Sequence, residues 1–294
     1  MSGEEVLREA MRLADAGEPY ALATVVGVVR PASARRGDRA LVTPSGSLVG
    51  WVGGACSEPI VVREALRALA DGEPRLVRIA PPGSGDEEQG EDVVVAESMC
   101  ASEGVVEVLV EPQLPRPALA VVGESPAARV LAQLAETIGW RVSRGIDPDA
   151  DAVVVASMGH GDEDALAAAL AAGAGYVALV ASAKRASVVL RSLRDSGVAE
   201  ESLARVRAPA GLDLGPSSQE EIAVAVLAEI IAWRHARPVE ELAPAEAVDP
   251  VCGMLIAVQG AESAQHGGVA FFFCSAGCRA RFEAEPDRYA TAVG

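Results

Sequence analysis

Residues 118–143 read ALAVVGESPAARVLAQLAETIGWRVS. An apolar run of strand length ends in Gly123-Glu124-Ser125-Pro126, and Ser followed by Pro is the N-cap and first-turn pattern of a helix. Apolar residues then recur at helical spacing as far as Ile138, and a short strand is predicted over Arg141–Ser143. The same rhythm continues downstream. A strand is expected over Ala152–Ala156, a helix reaching Ala172, a strand over Tyr176–Val180 and a helix over Ser187–Asp195. Ser218 and Glu221 form a capping box for a last helix ending near His235. Strands alternating with helices of this length predict a parallel doubly wound, Rossmann-like sheet over residues 117–235.

The flanks read differently. Residues 1–113 predict an α+β domain. Its expected parts are a helical pattern at 4–14, a strand over Tyr20–Val29 and a basic loop over Arg30–Arg39. A hairpin follows, with arms Ala40–Val42 and Leu48–Val52 around Pro44-Ser45-Gly46, then a helix over Glu58–Leu69 stopped at Asp71-Gly72, and a strand over Val105–Val110. Residues 81–92 read as a loop, and Gln113–Pro117, with two prolines, as a linker. Residues 236–248, rich in Pro, Ala and Glu, read as a tether to a small cysteine-rich module at 246–294.

Composition bounds the function. At 294 residues and 50% hydrophobic content the chain supports two or three cores, and with only 3% aromatics they must be packed from Ala, Val and Leu. A net charge of −17 argues against nucleic acid and against insertion at an anionic membrane. The charged N-terminus does not read as a signal peptide, and no apolar run reaches spanning length. The expected setting is the cytoplasm, where cysteines favour metal binding or chemistry over disulfides.

Cys252, Cys274 and Cys278 therefore carry weight. CxxxC alone is a weak signal, but a third cysteine upstream with 21 residues intervening, inside a Pro/Gly turn, strengthens it. Three thiolates supply most of a tetrahedral zinc shell, with His266 or water as the fourth ligand. In the doubly wound domain three loops should meet at the carboxyl edge of the sheet. They carry Gly123 and Ser125, then Gly159 and His160, then Ser182, Lys184 and Arg185. Each alone is ordinary turn chemistry; together they suggest a phosphorylated ligand at helix N-termini. The first loop lacks GxGxxG, and Arg144-Gly145 stand where a ribose-binding acid is expected, which disfavours ordinary nicotinamide binding. In the first domain Arg30, Arg35, Arg36 and Arg39 cluster with Asp38 as their sole acid. They are either a solvated loop paired with acids or an anion cradle. Cys56 follows Gly53-Gly54 and precedes a helix, a setting that lowers a thiol pKa, against the alternative of a packed structural cysteine. Cys100 lies in a similar turn with a weaker argument.

These residues carry a resemblance. Residues 20–62, with Ser33, Arg36, Gly37, Gly53, Gly54, Cys56 and Glu58, resemble the N-terminal domain of the XdhC/CoxI family. Ser157-Met158-Gly159-His160 and Ala210-Gly211-Leu212-Asp213-Leu214-Gly215 resemble that family's Rossmann-type domain, and Asp249–Tyr289 resembles a YHS (TRASH-like) module. Ala34 and Ala178 depart from the family pattern, where Pro and Gly are frequent. The resemblance implies a maturation factor that binds the molybdenum cofactor (molybdopterin, with or without a nucleotide), protects it during sulfuration and hands it to a molybdenum hydroxylase apoenzyme of the xanthine or carbon monoxide dehydrogenase type. It would act as an accessory chaperone and not as an enzyme. A cysteine desulfurase and a second copy of the chain are further expected partners. Two rivals stand beside it: an NAD(P)-dependent oxidoreductase, and a metal-responsive regulator acting through the cysteine tail.

Overall fold

A computed structural model describes residues 3–54, 56–83, 93–97, 104–236 and 244–290. The chain forms two compact units. One comprises residues 1–115 together with 238–294; the other comprises residues 116–237.

The second unit is the doubly wound domain that the strand–helix rhythm predicts. Its parallel sheet has the order β11-β10-β9-β7-β8, built from β7 (Ala118–Val122), β8 (Arg141–Arg144), β9 (Ala152–Val155), β10 (Tyr176–Leu179) and β11 (Val206–Arg207). The central strands β7, β9 and β10 are almost wholly buried, which explains their unbroken Val/Ala/Leu character. Helices α3 (Pro126–Thr137) and α7 (Gln219–His235) cover one face, with Leu131, Val226 and Ile230 in its core; α4 (Asp162–Ala171) and α5 (Ala183–Asp195) cover the other, with Leu166 and Val189. The Ser218/Glu221 capping box is present. Helix α5 begins four residues before its expected start, so Lys184 and Arg185 lie in its first turn and not in a preceding loop. Short elements α6 (Glu200–Leu203) and β11 were not anticipated.

The first unit holds a six-stranded sheet of order β3-β2-β1-β6-β4-β5. The strands are β1 (Tyr20–Val29), β2 (Arg39–Val42), β3 (Leu48–Gly50), β4 (Arg75–Ala80), β5 (Val93–Glu97) and β6 (Val105–Gln113). Helix α1 (Gly3–Ala16) packs Val6, Ala10 and Leu13 with Tyr20 and Leu41, while α2 (Glu58–Asp71) packs Ile60, Val61, Ala65 and Ala68 into the main core. Strands β4 and β5 were missed. Arg75 and Arg78 interrupt the apolar alternation of β4, and their guanidiniums pair with Asp71 and with Glu107 (2.8 Å).

The C-terminal segment is built into this unit. It comprises β12 (Glu246–Val248), β13 (Leu255–Ala257), β14 (Glu262–His266), β15 (Val269–Phe273), α8 (Ala276–Ala284) and α9 (Pro286–Ala290). Phe271, Phe273 and Phe282 make its own small core. Met254 and Ile256, however, are buried in the core that α2 and the six-stranded sheet share. Burying a side chain of that size contributes about 1.5–3 kcal/mol. Glu64 of α2 is fully buried and pairs with Arg63 (2.8 Å) and Arg67 (3.1 Å); Arg67 in turn reaches Glu246 at 2.7 Å. Two left-handed glycines seal the seam: a Cβ on Gly260 would stand 2.6 Å from the Gly46 carbonyl oxygen. Residue 246, read from sequence as part of a tether, is thus a pinned strand end. Among the described residues no helix is long and apolar enough to cross a membrane.

Candidate functional site

The cysteine loop is organised by Asp249, which is fully buried. One carboxylate oxygen accepts from the Val251 amide (2.8 Å) and the Cys252 amide (3.4 Å); the other accepts from the Cys274 amide (2.8 Å). Gly253, in the left-handed region at φ 77°, lets the loop turn back so that its amide reaches the Asp249 carbonyl at 2.8 Å. Cys274 ends β15. Ser275 caps α8 by accepting from the Cys278 amide, which places Cys278 in that helix's first turn.

The result is a tight cluster. Asp249, Cys252, Cys274 and Cys278 each present a ligand atom within 4.8 Å of the others. The Sγ atoms of Cys252 and Cys274 are 3.6 Å apart, and those of Cys274 and Cys278 3.5 Å. A disulfide needs about 2.05 Å, whereas tetrahedral Zn–S bonds of about 2.3 Å put sulfurs roughly 3.8 Å apart. The thiols therefore fit one small thiophilic ion. In the metal-free site Cys274 and Cys278 hold their protons: the Cys252 hydrogen bond, burial and Asp249 push Cys274 far up, and burial, Cys274 and Asp249 push Cys278 up to about 11. Burial also raises Asp249, but the Cys274 and Val251 hydrogen bonds outweigh it and leave that carboxyl below its usual range.

His266 is not part of this set, contrary to the sequence expectation. Its Nε2 lies 2.9 Å from Asp287, and its ring meets Phe282 edge-on. It sits at the turn end of β14, paired with Val269, and the cluster is instead completed by Asp249. The Asp-Pro-x-Cys spacing could have signalled this, because an Asp two or three residues before free amides makes an Asx turn.

The arginine loop folds back on β1 through Gly37 N to Val25 O (2.8 Å) and Val25 N to Asp38 O (2.9 Å). Ala34 is buried and anchors the loop in the core, leaving Arg35 and Arg36 exposed. Arg39 opens β2, and its Nε is buried with no hydrogen-bond partner. Among the described residues none of Arg30, Arg35, Arg36 and Arg39 forms an ion pair. The Gly53-Gly54 turn lies beside this loop. A Cβ on Gly54 would stand 4.0 Å from Ser33 Oγ, and one on Gly53 4.0 Å from Ala34 Cβ. Gly53 itself is required: at φ 133° its added Cβ would meet Ser57 Oγ at 2.9 Å. Cys56 is half-buried at the start of α2, whose N-cap Ser57 makes no side-chain capping bond. The fold thus brings the arginine loop and the glycine turn before Cys56 together. Cys100 lies outside the described residues.

In the doubly wound unit the three expected loops do gather at the carboxyl edge, but they are occupied by each other. Gly123 is pressed against the Ala156 carbonyl. Ser125 and Ser182 are N-caps, accepting from Ala128 N and Arg185 N. Ser157 bonds Asp162 and accepts from the His160 amide at 3.1 Å. Arg185 is held by buried Asp162 (3.1 Å) and by Glu163 (3.2 Å), so its guanidinium is already neutralised. His160 and Lys184 are exposed. A cavity of about 620 Å³ opens at this edge, with Ser125, Ser182, Val180, Leu212 and Leu214 in its wall. Met158 stands at its mouth in the left-handed region, φ 57°, a conformation that concentrates at ligand sites. The Pro209–Ser217 wall was not among the residues singled out for binding. Its signal was Gly-Leu-Asp-Leu-Gly: a Cβ on Gly211 would stand 3.0 Å from Val226 N, and the Gly215 amide donates to Asp213.

Comparison with known proteins matches three successive segments of the chain. Residues 13–80 match the XdhC and CoxI family, residues 119–230 the XdhC Rossmann domain, and residues 247–293 the YHS domain. The uncharacterized protein YqeB of Escherichia coli (strain K12) is 28% identical over 263 residues, covering 79% of this chain and 47% of YqeB. The chain thus spans about half the length of that relative. A copper-transporting P-type ATPase of Rhizobium leguminosarum bv. viciae is 46% identical over 54 residues, 18% of this chain and 6% of the ATPase. A crystal structure described as a xanthine dehydrogenase from Bacillus halodurans covers 81% of this chain and 97% of its own, with TM-score 0.38 and 16% identity, a likeness too distant to fix fold or function.

Proposed function

For a chain whose successive segments match the XdhC and CoxI family, the XdhC Rossmann domain and the YHS domain, we propose the role of a maturation factor for a molybdenum hydroxylase. It binds the molybdenum cofactor and delivers it to the apoenzyme of a xanthine or carbon monoxide dehydrogenase type hydroxylase. The observation that carries this reading is the unpaired arginine loop. In a chain with 42 acidic residues, four arginines on one loop stay without an ion pair among the described residues, and Arg39 keeps a buried, unpartnered Nε. Guanidinium forks held apart from carboxylates suit a phosphate, the group that a pterin cofactor carries. Arg35, Arg36 and Arg39 would hold that phosphate. Gly53 and Gly54 would allow close approach, and Cys56 would present a thiol to the cofactor's metal or to a sulfur in transit. Within the doubly wound unit the cavity behind Met158, with Ser125, Ser182 and the Pro209–Ser217 wall, would be a ligand site of its own. Gly159, His160 and Lys184 would line the approach.

The cysteine centre would bind zinc or a similar thiophilic ion. The partners would be the hydroxylase apoenzyme and a cysteine desulfurase, with a homodimer as the working form in the cytoplasm. The test is a Cys56→Ser chain in a host lacking the native factor, with partner hydroxylase activity as readout. Lost partner activity with normal folding supports a chemical thiol; full activity reduces Cys56 to packing. A nicotinamide-dependent oxidoreductase is disfavoured by Arg144-Gly145 at the end of β8, and an NADH titration followed by fluorescence separates it from the proposed role.

A further inference from the structure

Within the first unit a cleft of about 580 Å³ separates the C-terminal module from the rest. One wall is the hairpin turn at residues 45–48, another the start of α2 with Glu58, and the third the C-terminal segment with Gln259, Glu262 and Cys274. Cys274 also belongs to the cysteine cluster, so the cleft reaches a candidate metal ligand directly. Asp249, fully buried, gives no approach from its own side.

The chemistry of the walls selects the visitor. Among the described residues no lysine or arginine lines the cleft. Glu262 is held by Arg279 at 3.1 Å, but Glu58 has no ion pair among the described residues, and burial raises its carboxyl pKa. Gln259 Oε1 is buried with no hydrogen-bond partner. A desolvated carboxylate and an orphan acceptor are both relieved by a cation and its bound waters, whereas an anion would meet only like charge. The phosphate of a pterin is therefore excluded here, and a hydrated metal ion is favoured.

We propose that this cleft is the passage through which a thiophilic divalent cation enters and leaves the cysteine centre, with Glu58 as a transient ligand at its N-terminal wall. The proposal rests on the reading of the cysteine cluster as a metal centre. Glu58 strips water from the incoming ion, Cys274 is the first thiol it meets, and Cys252 and Cys278 complete the capture. Each thiol that ligates the ion gives up its proton to solvent. Glu58 is not a resident ligand, since it lies outside the group whose donor atoms fall within 4.8 Å.

The experiment uses the full reduced chain, stripped of metal. Zinc alone is delivered from a chromophoric chelator, and both loading rate and equilibrium affinity are recorded. Glu58→Gln is expected to slow loading about tenfold, the lower range of electrostatic effects on association rates, while affinity and one-to-one stoichiometry stay at the wild-type level. Ser47→Trp, an exposed position on the cleft wall, should slow both loading and chelator-driven release by obstructing the passage. Glu285→Gln, a carboxylate outside the cleft, should change neither. Wild-type rates in both cleft variants overturn the passage. An affinity loss in Glu58→Gln equal to its rate loss overturns the transient role and makes Glu58 a resident ligand. Failure of the wild-type chain to bind zinc at its three C-terminal cysteines overturns the metal centre itself, and the passage with it.

Discussion

Arg63 Nη1 donates to the carbonyl oxygen of Leu255 at 2.8 Å, across 192 residues of sequence. Arg63 is buried, and its other contact is the fully buried carboxylate of Glu64. This bond ties helix α2, which begins just after Cys56, to the strand that follows the Cys252 turn. The cysteine module and the N-terminal domain are consequently one folding unit, and metal binding and N-terminal stability must be linked.

Ile256 measures that link. Its side chain is 1% exposed in the core shared with α2. Ile256→Ala should destabilise the first unit by about 2–5 kcal/mol, the usual cost of deleting a buried aliphatic side chain. Chemical denaturation followed by Trp51 fluorescence should show it. A change confined to the metal site, with normal N-terminal unfolding, would contradict the shared core.

Metal removal should act in the same direction. Chelation of the loaded protein should lower the unfolding temperature of the first unit and leave that of residues 116–237 unchanged, with a stabilisation of about 2.7 kcal/mol when free zinc is a hundredfold above its dissociation constant. The pH dependence of the metal-free protein follows from its thiols. Cys278 is raised from 9.0 to about 11, so the folded state holds this proton more tightly than the unfolded state does. That contribution is fully present below about pH 9 and is lost as pH rises through about 11. Calorimetry of the metal-free chain should therefore show the first unit weakening across that window. The zinc-loaded chain, whose thiols are already deprotonated, should lack this loss.

Arg39 separates recognition from folding. Arg39→Gln removes the guanidinium whose Nε has no partner. It should weaken retention of a phosphorylated pterin by roughly 10-fold or more, corresponding to about 1.5–3 kcal/mol for a charge-assisted hydrogen bond. The melting temperature should hold or rise, since an orphaned buried donor is relieved. Unchanged retention would remove the arginine loop from the account.

Lys184 and Arg185 should part company. Lys184→Ala should leave stability within about 0.5 kcal/mol, as an exposed substitution does. Arg185→Ala strips a partner from Asp162, a carboxylate 1% exposed, and should cost about 1–3 kcal/mol. Thermal melts of the two variants decide it; equal melts would place Arg185 among the exposed loop cations.

What the sequence made legible was what has a strong local period. The parallel domain is readable because β7, β9 and β10 are apolar on both faces and the starts of α3, α5 and α7 carry Ser caps. Strand β4 was hidden because Arg75 and Arg78 occupy partly buried positions and are accommodated by Asp71, just before the strand, and by Glu107 on β6. The three thiols were legible from spacing, but Asp249 was not, since its role depends on amides contributed by both Cys252 and Cys274. Arg185 read as a free cation because its partners, Asp162 and Glu163, come from another helix. The docking of the C-terminal module was invisible for the same reason: Met254 and Ile256 look like members of a small local core until α2 is placed against them.

The central claim is that this chain holds a molybdenum cofactor. The direct measurement is to co-express it with cofactor biosynthesis, purify it reduced, and quantify molybdenum and oxidised pterin fluorescence per chain. The account predicts near-stoichiometric pterin and molybdenum in the wild-type protein and a large loss of both in Arg36→Gln/Arg39→Gln at equal melting temperature. A folded wild-type chain that carries neither pterin nor molybdenum, while still binding zinc at Cys252, Cys274 and Cys278, would contradict it.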